Sequence, residues 1–173
     1  MGLRVDSYGR VSLKRRVDPK TFFASGGSGK LDERTEVFLY PHEPHARQRD
    51  GMPSGVYAWS DREAFDVGSY HAYNLWRSLL ATLLGTTDRA IWKNPRPGPF
   101  VEIINFADNE GFFGPVTSGK LAADFAAWRP RAEEFAAGFE GPREGRWFME
   151  TYDGFAKAFR HAAAHGEGVV QFH

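Results

Sequence analysis

No cysteine occurs in the 173 residues, which removes disulfides, thiolate metal sites, iron–sulfur clusters and cysteine nucleophiles. Net charge is also missing, since 22 Lys and Arg balance 22 Asp and Glu. Proteins that neutralise nucleic-acid phosphates carry a basic excess, so no nucleic-acid partner is expected, and an acidic mimic of DNA is equally excluded. No apolar run reaches the roughly 18 residues of a membrane span, so no membrane partner is expected either. The opening residues are charged early and lack the apolar core of a signal peptide, and Asp6 stands where a myristoylation motif wants Ser or Thr. The cytoplasm is the expected compartment.

What the chain has in excess is aromatic side chains: 15 Phe, 6 Tyr and 5 Trp. The length suits one domain over residues 1–173, a size that buries roughly 70% of its unfolded surface. The charge balance hides a gradient. Residues 1–50 carry +3, 51–100 carry +1 and 101–173 carry −4, which ordinary surface scatter also explains. Arg outnumbers Lys and Ala is abundant, the composition of a bacterial or phage genome.

Periodicity divides the chain. Residues 3–13 alternate apolar and polar as a half-buried strand does, and 14–34 read as a polar loop with a Gly/Ser patch at 25–29. Residues 36–40 and 55–59 read as short strands, separated by another loop. Ser69 is a fitting N-cap for a helix bearing Ala72, Trp76, Leu79, Leu80 and Leu83, ended by Gly85. Pro95, Pro97 and Pro99 make 86–99 a stiff connection, and the apolar run Phe100–Phe106 reads as a central strand. A second helix starts at Pro115 with an apolar stripe from Leu121 to Phe139 and a kink at Pro130. Gly141–Gly145 reads as a turn, before a third helix with Phe148, Tyr152, Phe155, Phe159 and Ala162 on one stripe. Residues 169–172 form a last strand. The expected fold is α+β: a mostly antiparallel sheet of about five strands with three helices on one face, in the order β-β-β-α-β-α-α-β.

Several groupings bear on chemistry. Gly114, Gly119 and Lys120 match G-x-x-x-x-G-K, but Leu121 stands where a phosphate loop needs a hydroxyl, and Pro115 removes a donor. The segment suits a helix start better than a nucleotide loop, and Ser28-Gly29-Lys30 is weaker still. Asp108 and Glu110 follow the apolar run and suit either a cation or a solvated turn that caps the next helix. Tyr70, Asn74 and Arg77 share one helix face with Tyr73 at its margin, a surface for an anionic or planar ligand, or a set of polar groups satisfied at the core edge. His161 and His165 stand at i, i+4, and His42 and His45 form a loop pair, but nothing requires either pair to bind metal. No metal site and no cofactor is expected, no catalytic set can be assembled, and whether the chain is an enzyme stays open. No nucleophile elbow is present.

The motif Gly68-Ser69-Tyr70 with Tyr73, Asn74, Trp76 and Arg77, the segment from Ile104 through Asp108 and Glu110 to Pro115, Lys120-Leu121 with Asp124-Phe125, and the pair Phe172-His173 together resemble an uncharacterised family of bacterial and phage hypothetical proteins. That resemblance implies no activity, cofactor or partner. The expectation is a small soluble binding or accessory module, phage- or prophage-encoded, that recognises a protein or a small molecule through Tyr70, Tyr73, Asn74, Arg77, Asp108 and Glu110. The alternative is a small metal-assisted hydrolase using Asp108 and Glu110, helped by His71 or His173.

Overall fold

Residues 2–27, 31–40, 49–107, 110–164 and 166–173 are described by the computed structural model. The chain runs β1 (Gly2–Gly9), β2 (Ser12–Arg16), α1 (Pro19–Ala24), β3 (Glu36–Leu39), β4 (Gly55–Ala58), β5 (Asp61–Ser69), α2 (Tyr70–Leu83), α3 (Asp88–Lys93), α4 (Val101–Asn105), β6 (Gly111–Phe113), α5 (Pro115–Ala137), α6 (Pro142–Ala164) and β7 (Val169–Phe172). The class is α+β. The seven strands form two sheets rather than one, in the orders β5-β1-β7-β6 and β2-β4-β3, and every pairing between described strands is antiparallel.

Three expected elements divide differently. The alternating run over 3–13 is two strands, because Arg10 takes a left-handed φ of 49° and turns the chain from the first sheet into the second. The polar stretch 14–34 contains α1, whose N-cap Asp18 accepts from the Thr21 amide at 3.1 Å, and 86–99 contains α3, capped by Thr87. The expected central strand at 100–106 is instead the short helix α4. Its wholly buried Phe100, Ile103 and Ile104 lie at i, i+3 and i+4, a helical spacing that β-branched composition masked. The count is therefore six helices among the described residues, against three expected, and the order differs accordingly.

Two other readings hold and a third does not. Ser69 caps α2 by accepting from the Ala72 amide at 3.1 Å. α5 begins at Pro115 and continues as helix across Pro130, where the carbonyl deprived of a partner belongs to the exposed Ala126 and is open to water. The turn read over 141–145 is instead the start of α6, which opens at Pro142.

Side-chain alternation on the first sheet builds three layers. Leu3, Val5, Val170 and Phe172 face α2, α4, α5 and α6, whereas Tyr8, Phe112 and Val169 face Val37, Leu39 and Tyr57 of the second sheet. Phe22 of α1 covers the outer face of that second sheet, stacked on Phe38 with ring centroids 3.7 Å apart. The helical layer is aromatic at its centre, where Trp76, Phe125, Tyr152, Phe155 and Phe159 are all buried and Trp76 stacks on Phe155 at 4.7 Å. Burying each such ring contributes about 1.5–3 kcal/mol, so the aromatic excess is used mainly here.

α5 and α6 approach closely at Gly145. A Cβ there would sit 2.3 Å from the Ala136 carbonyl oxygen, which is backbone and cannot swing aside. Alanine gains about 1 kcal/mol of helix propensity over glycine, but overpacking against a fixed neighbour costs about 1–3 kcal/mol. Gly145→Ala is therefore expected to destabilise the protein by up to about 2 kcal/mol in urea unfolding; a more stable variant would show that the two helices are not held at this distance.

Candidate functional site

The polar stripe on α2 is a clamp on the main chain. The Tyr70 hydroxyl donates to the Ala107 carbonyl, the Tyr73 hydroxyl to Phe106 at 2.8 Å, and Arg77 Nη1 to Ile104, while Arg77 Nη2 donates to Asn74 Oδ1 at 2.6 Å. These three carbonyls lie at and just beyond the C-terminal end of α4, where a helix leaves its acceptors without internal partners. Four of the six expected ligand-binding residues therefore fix α4, with Tyr73 wholly buried and Arg77 6% exposed. A stripe of phenol, amide and guanidinium reads alike in sequence whether it meets a ligand or a neighbouring segment.

Glu110 goes elsewhere and Asp108 lies outside the described residues, as do His42, His45, His165 and the Ser28-Gly29-Lys30 patch. Glu110 accepts the Tyr40 hydroxyl at 2.6 Å and lines a cleft of about 470 Å³ that also takes in His173. Arg77 is not among that cleft's lining residues, so the expected set divides between two places. His71 is exposed on the first turn of α2.

The cleft lies at the β3 edge of the second sheet, where that edge meets the polar face of the first. One wall is aromatic: Phe22, Phe23, Phe38 and Tyr40 form a continuous ring cluster, with Phe23 56% exposed. The other wall is ionic. Asp6, on β1, is wholly buried between Ala64 of β5 and Gln171 of β7. Arg62 Nη2 donates to Asp6 Oδ2 at 2.7 Å, His173 Nε2 lies 2.5 Å from the same oxygen, and Arg4 Nε reaches Oδ1 at 3.3 Å. Gln171 Nε2 donates to the Phe38 carbonyl at 3.2 Å and so links the sheets.

Burial opposes ionisation of Asp6, but hydrogen bonds from His173 and Arg62 outweigh it and hold the carboxyl at about 2. Asp6 is thus a carboxylate at any ordinary pH, and the proton between it and His173 sits on Nε2. Tyr8, beside them, is pushed upward by burial and by the Asp6 charge and stays a neutral phenol. Arg62 lies over the Tyr8 ring at 5.7 Å and is drawn upward by its bond to Asp6.

Asp6, Arg62, Tyr8, Tyr40 and Gln171 were not singled out by sequence reasoning. Asp6 occupies a polar slot of an alternating strand, and alternation alone places such a residue in solvent. Only the second sheet makes that slot an interior one.

Two other constellations resolve as structural. The N-terminus of α5, where a phosphate would sit, already holds a carboxylate: Asp50 accepts from the Thr117 amide and hydroxyl, both at 2.8 Å. Lys120 is held by the Gly98 carbonyl at 2.5 Å, Glu102 at 2.5 Å and Asp124 at 2.9 Å. The phosphate-loop resemblance is therefore a matter of spacing alone. His161 lies between Ser7, 2.8 Å from its Nδ1, and Asp61, 3.5 Å from its Nε2. This is not a nucleophilic triad. Ser7 is wholly buried, with its hydroxyl also 2.8 Å from the Ala158 carbonyl, so no substrate reaches it. Among the described residues no group of three or more His, Asp and Glu is placed to hold a metal ion, and no helix is long and apolar enough to cross a membrane.

No family model, no curated protein and no solved structure matches this chain.

The Asp6 network fixes a pH dependence. Its carboxyl ionises more easily folded than unfolded, from 3.8 down to about 2. The resulting stability is complete above pH 4 and is lost as pH falls toward 2, a loss of about 2 kcal/mol by linkage. Urea midpoints are expected to hold between pH 7 and 5 and to fall below pH 4. In Asp6→Asn the acid fall should shrink, on a neutral-pH stability already lower; an acid limb equally steep in the variant would assign it to other carboxylates.

Proposed function

We propose that this chain is a small-ligand-binding module whose ligand occupies the cleft between the two sheets. The observation that carries this reading is the wholly buried Asp6, whose partners Arg62 and His173 remain partly open to the cleft and face an aromatic wall. A concave apolar surface with a few convergent polar groups and a strongly shifted carboxyl is the usual form of a ligand site. At about 470 Å³ the cleft has the size of a small-molecule pocket rather than a protein-docking face. Its complement is a body that rests on Phe23, Phe38 and Tyr40 and carries polar groups for Arg62, His173, Glu33 and Glu110, which share the lining. A bacterial or phage origin is what the sequence resemblance implies, and the accessory role is part of this proposal.

A second reading, metal-assisted hydrolysis, draws support from Glu110 and His173 sharing this cleft. It needs a cation. Saturable stabilisation by Mg²⁺, Mn²⁺ or Zn²⁺ that disappears in Glu110→Gln would favour it over simple binding.

The binding reading is tested with a panel of aromatic amines, aromatic carboxylates and aromatic amino acids, followed by thermal shift and by NMR of the labelled protein. At least one class is expected to bind and to move the resonances of Gln171 and His173. Phe23→Ala, which removes an exposed ring, should weaken that binding about tenfold while leaving the melting temperature nearly unchanged. A panel that leaves those resonances unmoved, or an affinity indifferent to Phe23, would remove the cleft as the site.

A further inference from the structure

We infer that a second ligand site, separate from the inter-sheet cleft, lies between α2, α3 and α4 and takes a planar heteroaromatic ligand with a hydrogen-bonding acceptor–donor edge and an anionic substituent. The cavity there measures about 450 Å³ and is lined by Arg77, Asp88, Arg89, Trp92, Ile104 and Asn105, together with Ala107. That volume falls within the range of small-molecule sites.

Unmet hydrogen-bonding groups point to a ligand. Arg77 uses both terminal nitrogens in the clamp on α4, on the Ile104 carbonyl and on Asn74. Its Nε is buried and has no partner among the described residues, and the same holds for Oδ1 of Asn105. Buried polar groups almost always find partners, and an orphan next to a cavity asks for one inside it. Here there are two, on residues that line the same cavity: a donor, Arg77 Nε, and an acceptor, Asn105 Oδ1. A matching ligand carries an acceptor for the one and a donor for the other. Adenine, cytosine and a primary carboxamide all present both on one edge, and side-chain amides read adenine in this way.

The rim supplies the other two features. Trp92 is 70% exposed although it lines the cavity, which leaves an indole face available for a flat ring. Arg89 is exposed beside it. The Asp88 carboxylate is occupied, accepting from the Ser78 hydroxyl and the Arg89 amide, each at 2.7 Å. Asp88 keeps its charge but has its oxygens turned to these donors, which leaves the Arg89 guanidinium as the rim group that suits an anionic substituent. The clamp residues have a part in this site as well: by holding the carbonyls of α4 they set where Asn105 stands.

The test is a tryptophan-fluorescence titration of the full chain with AMP, CMP and nicotinamide mononucleotide, each of which joins an acceptor–donor edge to a phosphate. At least one is expected to saturate, with its uncharged nucleoside several-fold weaker and ribose 5-phosphate without effect. Trp92→Ala should weaken the bound probe about tenfold at an unchanged melting temperature, and Trp92→Phe should restore most of the affinity. If AMP is the probe that binds, the purine ribotide lacking the 6-amino group should bind at least about tenfold more weakly, because Asn105 then stays unmet. Failure of all three probes to saturate overturns the proposal, as does binding indifferent to Trp92. Binding lost in Phe23→Ala and kept in Trp92→Ala would place the probe in the inter-sheet cleft and equally overturn it.

Discussion

The rest of the architecture depends on β1 being buried on both faces. A strand with helices on one side and a second sheet on the other has no solvent face, so every residue from Val5 to Gly9 is interior. Four of those five are compatible with that as apolar, small or neutral groups. Asp6 is not, and a lone carboxylate in that position would be strongly unfavourable. Its partners converge from three places: the counter-charges Arg62 from β5 and Arg4 from β1 itself, and the His173 ring just past β7. Removing one member of such a group leaves the remaining charges uncompensated, which costs more than the intact group contributes. The network is thus a condition on how the three strands align as much as a feature of the cleft.

A second constraint acts through α4. Five residues make a helix too short to hold itself together, and its N-cap residue Phe100 has a left-handed φ of 58° and no side-chain cap. Both ends are held from outside. The Phe100 amide donates to Asp124 on α5 at 2.9 Å, and the carbonyls at the other end are gripped by Tyr70, Tyr73 and Arg77 on α2. Four buried side chains, Phe100, Ile103, Ile104 and Phe106, then complete the aromatic core.

Much of the helical layer could be read from residue spacing. The stripes on α5 and α6, the Ser69 cap and the Pro115 start depend on local periodicity and capping, which act within a few residues. What escaped was non-local. The left-handed turn at Arg10, which falls on the arginine rather than on the glycine before it, separates two strands that alternation runs together. Phe100–Phe106 is as apolar as a central strand, and the helical spacing of Phe100, Ile103 and Ile104 is too short and too β-branched to stand out until α2 and α5 hold both its ends. For the site, Glu110 and His173 were named and do share a cleft, but Asp6 and Arg62 come from strands that acquire an interior face only when the second sheet docks. The Tyr70, Tyr73, Asn74 and Arg77 stripe was found as a stripe, and nothing within α2 distinguishes a main chain from a ligand as its target.

The path of the chain between the sheets has a mechanical consequence. It crosses at Gly9–Val11 and again at Trp59–Ser60, and the crossings are tied together where the Ser60 amide donates to the Gly9 carbonyl at 3.2 Å. The two sheets therefore share one spine, like the boards of a book. On the cleft side they are bridged by side chains, Gln171 to the Phe38 carbonyl and Tyr40 to Glu110. With the spine and the buried cluster between the sheets fixing the far side, the width of the cleft is set at those two bridges, so Glu110 and Gln171 are tied to it.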